Sequence, residues 1–162
     1  MDSKDIAVSA LIAAAYAVLT IAISPISYGA IQVRISEMLV LLCFFNKKHA
    51  IGLTIGCFVA NLASPMALLD VPFGTLATLL ACLGIMFSKH LIVAIIFPIL
   101  TNAFIVAGVL TSIGEPYWMS VLTVGAGEAI VMVVSYIIFM CFRKRENLWL
   151  KLGANQNIDF KF

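Results

Sequence analysis

Long apolar runs separated by short polar breaks set the pattern of this chain. The first run, about Ile6 to Ile23, carries no charge and is long enough for the roughly 20 residues a helix needs to cross a bilayer. Pro25, Ser27 and Gly29 break it. Between Arg34 and Lys47 only about a dozen residues remain, roughly 18 Å at helical rise, against a hydrocarbon core of about 30 Å. Either the stretch 28–33 completes that crossing in irregular form, or Arg34 and Glu37 lie below the interface. Both versions require a protein-lined or watery cavity, because bare backbone and charge are not tolerated against lipid. Further helices are predicted over about Ala50 to Ala63, Phe73 to Phe87, Leu91 to Leu110 with a kink at Pro98, and Trp118 to Phe142. Asp70-Val-Pro72 introduces the second of these, with Asp70 read either as a helix N-cap or as a site residue. Arg143-Lys-Arg145 stops the last helix. The pattern therefore predicts an all-α integral membrane bundle of six transmembrane helices in residues 1–145, followed by a polar cytoplasmic tail, 146–162. The first run is too long for the apolar part of a signal peptide and lacks a cleavage-like ending, so it is expected to stay as a span.

Composition agrees. Hydrophobic residues make up 63% and charged ones only 11%, less than half the share usual in soluble domains, and the mean hydropathy is +1.11. A net charge of +2 with no basic stripe gives no reason to expect nucleic acid. Cys43, Cys57, Cys82 and Cys141 fall singly inside apolar runs without C-x-x-C spacing and read as small core residues, so no metal site is expected.

Nine of the ten basic residues fall at one end of the bundle (Lys4, Lys47, Lys48, Lys89, Arg143, Lys144, Arg145, Lys151 and Lys161), leaving Arg34 at the other. The positive-inside rule puts that end, with both termini, in the cytoplasm. Depths follow from the helical rise. Asn61 and Asn102 each follow a basic turn, at His49 and His90, by about a dozen residues, roughly 18 Å up. Glu128 precedes Arg143 by about fifteen residues, roughly 22 Å. Arg34, Glu37 and Asp70 lie near the outer interface. The polar groups thus occupy the middle and outer half, and an outward cup with an apolar floor is expected rather than a continuous path.

Charge inside a membrane is costly and usually faces a cavity, a partner charge or a ligand. Gln32, Arg34, Glu37, Asn61, Asp70, Asn102 and Glu128 are the candidate substrate-binding residues. Arg34 and Glu37, three apart, share a face if helical, and also read as an interfacial ion pair anchoring a helix end. Asn61 and Asn102 also read as interhelical hydrogen-bond glue. Glu128 is the hardest of them to explain as structural, since a carboxylate near the midplane costs a few kcal/mol. If Arg34 pairs with Glu37, then Asp70 and Glu128 are left for a donor-rich or cationic ligand. Tyr28, Phe73, Tyr117 and Trp118 offer rings for stacking, or interfacial anchors. Ala10, Ala14 and Ala17, with Ala7 and Ala13, form small-x-x-x-small patterns suited to close helix approach, either within the bundle or to a partner; Gly52-x-x-x-Gly56 is a second such pattern. No phosphate-binding loop, H-E-x-x-H or G-x-S-x-G occurs, so no catalytic residue and no enzyme activity are expected. Six helices without a detectable inverted repeat are few for a self-sufficient carrier.

Tyr28-Gly-x-Ile-Gln-x-Arg-Ile-Ser-Glu37, Gly56-Cys-Phe-x-Ala-Asn61, Asp70-x-x-x-Gly-Thr-Leu-Ala-Thr78, Pro98-x-x-x-Asn102 and Gly127-Glu128 together resemble the QueT family. These are substrate-binding components of energy-coupling factor transporters for queuosine precursors. The resemblance implies a six-helix S component in a prokaryotic cell membrane. It would capture a 7-deazaguanine base, such as the aminomethyl or cyano form, from outside. It also implies docking through the small-residue face of helix 1, Ala10, Ala14 and Ala17, on a transmembrane coupling subunit driven by two cytoplasmic ATPases. ATP is then used by those partners, and the chain itself holds no cofactor. A stand-alone ion-coupled carrier, a membrane enzyme or purely structural bundle, and an S component for another vitamin-like substrate are the alternatives.

Overall fold

A computed structural model describes residues 2–28 and 33–154, apart from the side chains of Ile26 and Glu146. All secondary structure in the described residues is helical. Four helices are long and apolar enough to cross a membrane: α1 (Ser3–Ala22), α3 (Ala67–Phe87), α4 (Leu91–Thr111) and α5 (Tyr117–Cys141). Two shorter apolar helices stand between α1 and α3: a 3-10 helix, Ile35–Phe44, and α2, His49–Leu62. A one-turn helix, Ser24–Ser27, follows α1, and a six-residue helix, α6 (Glu146–Lys151), follows α5.

The long helices pack in chain order, α1 on α2, α2 on α3, α3 on α4 and α4 on α5. The 3-10 helix touches α1, α2, α3 and α5 and so occupies the middle. Its Val40, Leu41, Cys43 and Phe44 are fully buried. The short run after Arg34 is therefore central, and its 3-10 geometry explains its reach. At about 2.0 Å per residue, ten residues extend roughly 20 Å, where an α-helix would give about 15 Å. Such long 3-10 runs are uncommon and mark functional or strained segments.

Two prolines act where the sequence places them, in forms it did not specify. Asp70 is not an N-cap: it sits inside α3 with helical dihedrals, where a π-turn, Asp70–Gly74, interrupts the α geometry. Pro72 lies in that turn. Its ring would collide with the carbonyl of Leu68 in a continuous α-helix, and the wider turn relieves the clash. In α4 the α-helical segments Leu91–Ala94 and Ile96–Thr111 meet at Ile95, three residues ahead of Pro98, so the helix is interrupted near the expected kink.

Lipid supplies little hydrophobic drive between helices, so close packing at small residues holds the bundle. A Cβ added to Gly52 would lie 2.3 Å from the Ser9 carbonyl oxygen. One added to Gly56 would lie 2.7 Å from that of Ala13 and 2.9 Å from Tyr16 Cβ. The Gly52-x-x-x-Gly56 face thus seats α1. Gly56→Ala is expected to push α1 away and destabilise the bundle by about 1–3 kcal/mol, the usual range for overpacking. Thermal unfolding of the purified protein measures this, and an unchanged midpoint would show that α1 is not held there.

At one end the chain's basic segments meet. Lys48 Nζ pairs with Asp5 Oδ2 at 2.5 Å, which raises the affinity of the ammonium for its proton. Lys47 lies over the Phe87 ring at 5.7 Å, and Asn46 Nδ2 donates to the Gly153 carbonyl at 2.7 Å. The N-terminus of α1, the turn before α2, the end of α3 and the segment after α5 are therefore neighbours.

Candidate functional site

Arg34, Glu37, Asn61, Asp70, Asn102 and Glu128 are all buried, none more than 4% exposed. Gln32 lies outside the described residues. The six come from the 3-10 helix and its start, α2, α3, α4 and α5. Isolated buried polar groups at separate places would suggest helix-helix glue. Here Asn102 of α4 lies beside both Glu37 and Glu128.

Glu37 is held from two sides. Tyr16 of α1 donates its hydroxyl to Glu37 Oε1, and Thr78 of α3 donates to the same oxygen at 3.2 Å. Its other oxygen, Oε2, has no hydrogen-bond partner among the described residues. The expected Arg34–Glu37 ion pair is not formed: the Asp5–Lys48 pair alone meets ion-pair distance among the described residues. The cause is the backbone. Arg34 precedes the 3-10 helix in an extended conformation, so it shares no helical face with Glu37. Its Nε instead donates to the Ser27 carbonyl at 3.3 Å, and its guanidinium lies 5.3 Å from the centre of the Tyr28 ring. Tyr28 in turn donates to the Ala60 carbonyl at 2.6 Å. That ring is therefore committed to the protein.

Asn61 Nδ2 donates to the Asp70 carbonyl at 2.9 Å and contacts Cys57 Sγ at 3.3 Å. Gly74 in the π-turn gives it room: a Cβ there would lie 2.8 Å from Asn61 Nδ2 and 3.7 Å from Arg34 Nη1. Asn61 and Arg34 thus meet over one glycine. The Asp70 carboxylate accepts from Ser64, which also receives the Met66 amide. Asp70 closes the α2–α3 connection, and its carboxylate is partnered within the chain.

Five atoms of the remaining candidates have no hydrogen-bond partner among the described residues: the acceptors Glu37 Oε2, Asn61 Oδ1 and Glu128 Oε1, and the donors Arg34 Nη2 and Asn102 Nδ2. An unpartnered buried polar group costs about 1–3 kcal/mol, more when charged. A ligand offering several donors and at least one acceptor satisfies that set.

A family model described as QueT transporter matches residues 6–144. The chain belongs to the QueT transporter family. A 77-residue stretch is also 49% identical to the queuosine precursor transporter QueT of Lactococcus lactis subsp. cremoris (strain MG1363), covering 46% of this chain and 45% of that protein. The matched stretch spans less than half of that relative's length. No solved structure matches. The QueT family is one of transporters, in line with the expectation that the chain is not an enzyme.

Within this QueT-family fold, sequence reasoning missed Tyr16 and Thr78. Tyr16 and Thr20 stand four apart in an otherwise apolar stretch of α1, and both turn inward. Thr20 Oγ1 lies 2.6 Å from Ser36 Oγ of the 3-10 helix. A polar pair on one face of an apolar span was the available signal. On the opposite side of α1, Ala10 and Ala14 are exposed, whereas Ala17 is buried in the core and so does not extend that open face. Ala13 meets Gly56 and packs within the chain. Trp118 is 71% exposed, as an interfacial anchor would be.

Proposed function

We propose that the chain is the substrate-binding component of an energy-coupling factor importer and captures a queuosine precursor, a 7-deazaguanine base. The observation that carries this is the buried set of unpartnered atoms on Arg34, Glu37, Asn61, Asn102 and Glu128. A 7-deazaguanine presents an N–H and an amino group side by side, a donor pair that a carboxylate accepts. Its carbonyl accepts from a guanidinium or an amide. An aminomethyl substituent adds an ammonium at the far side of the ring, which a second carboxylate meets. Glu37 and Glu128 are the carboxylates with a buried, unpartnered oxygen among the described residues. Family membership and the Lactococcus relative support the same substrate class.

In this reading the 3-10 helix and α2 complete six spans, and the basic end lies in the cytoplasm by the positive-inside rule. The cup then opens outward. Cysteines introduced at Lys47 and Lys89 are expected to label from the cytoplasm, and one at Glu115 from outside. The reverse pattern would turn the cup inward and end the import reading.

Transport is expected to need a coupling subunit and two ATPases, with the Ala10–Ala14 face of α1 as the docking surface. The chain contains no phosphate loop, and Ala10 and Ala14 lie open on the bundle surface. The test is uptake of labelled base by proteoliposomes. The chain alone should give none under an ion gradient. Sustained uptake without ATP or partners would establish a stand-alone carrier instead.

A further inference from the structure

The segment after α5 is a built part of the fold. Arg143–Arg145 turns the chain, with the Arg145 amide donating to the Phe142 carbonyl at 2.9 Å. Trp149 of α6 is 2% exposed and stacks on Phe45 at 4.4 Å and lies against Phe139 at 5.4 Å. Its Nε1 donates to the Phe142 carbonyl at 3.0 Å. The Asn46–Gly153 hydrogen bond ties the end of the segment to the turn before α2. These contacts hold α6 across the end of α5 and leave a cleft of about 530 Å³ between them, lined by Phe142, Lys144, Arg145, Asn147, Leu148 and Lys151.

We propose that this cleft binds the phosphate headgroup of an anionic membrane lipid. Among the described side chains the cleft carries three cationic ones and no acidic one, and none of the three makes an ion pair there. It also carries apolar surface: Phe142 is 46% and Leu148 39% exposed. A soluble anion has no use for that surface, whereas a phospholipid presents phosphate and acyl chain together. The position suits it as well. The cleft lies directly beyond the end of a membrane-crossing helix, at headgroup level, where basic pockets collect anionic lipids. Asn147 adds a neutral hydrogen-bonding group for the phosphate or the glycerol hydroxyls. This lipid would sit far from Glu128 and Glu37 along the bundle, and the proposal does not depend on which substrate they bind.

The test is native mass spectrometry of the full-length protein titrated with phosphatidylglycerol, phosphatidylcholine or inorganic phosphate. Phosphatidylglycerol should be retained and the other two should not. The triple variant Lys144→Gln, Arg145→Gln, Lys151→Gln should bind phosphatidylglycerol roughly a hundredfold more weakly, about 1 kcal/mol for each charge near the surface. Should the triple variant fail to fold, the single changes Lys144→Gln and Lys151→Gln at exposed positions should each weaken binding roughly fivefold. Equal retention of the two lipids by the wild type would overturn the proposal. So would unchanged phosphatidylglycerol binding in the variants, or equal binding of inorganic phosphate.

Discussion

Glu128→Gln is expected to weaken binding of a 7-deazaguanine base by about tenfold or more. Glu128 is 3% exposed in the middle of α5, and its Oε1 has no hydrogen-bond partner among the described residues. Hydrogen bonds to an ionised group contribute about 1.5–3 kcal/mol, and leaving a buried donor unpaired costs a similar amount; about 1.4 kcal/mol is a factor of ten. Gln keeps the shape and removes the charge, so the loss should follow the ligand's donors. Calorimetry with guanine, the cyano base and the aminomethyl base reads this, with a smaller loss for a base lacking the matching donor. Stability separates this role from a structural one. Replacing a buried carboxyl that no ion pair compensates by an amide of the same shape should leave the ligand-free protein as stable as the wild type or more so. If Glu128→Gln binds all three bases as tightly as wild type, the carboxylate is structural.

Ala14→Trp should do the reverse, sparing binding and lowering uptake in cells by roughly tenfold or more. Ala14 is exposed on α1, with Leu11 and Val18 exposed near it at 68% and 64%. Small residues on such a face let another helix approach closely, and a bulky side chain in a close-packed contact costs about 1–3 kcal/mol. Because α1 turns Tyr16 and Thr20 inward, a change at Ala14 leaves the Tyr16–Glu37 contact in place. Uptake unchanged in Ala14→Trp would remove α1 as the docking face.

The helical spans were legible because lipid enforces long apolar runs, and α5 was bounded to within one residue at each end. What the run after Arg34 does was legible only in part. Its brevity required burial in protein, and the 3-10 helix is indeed central, yet apolar spacing over ten residues does not distinguish 3-10 from α geometry. The same limit hid the π-turn around Pro72 and left Asp70 open between a helix cap and a site residue. Charge cost singled out Arg34, Glu37 and Glu128, and the fold buries all three. It did not reveal partners: sequence spacing suggested Arg34 with Glu37, whereas Glu37 is held by Tyr16 and Thr78, twenty-one and forty-one residues away. Contacts at such separation depend on how helices face one another. The polar composition after Arg145 likewise gave no sign that Trp149 would be buried against Phe45 and Phe139.

Titration of the purified wild-type chain, alone in detergent and without ATP, with the aminomethyl and cyano 7-deazaguanines tests the central claim most directly. Saturable binding of one base per chain is the predicted result, since the open atoms on Glu37, Glu128, Asn61, Asn102 and Arg34 all belong to this single chain. A cooperatively folded chain that binds neither base would contradict it.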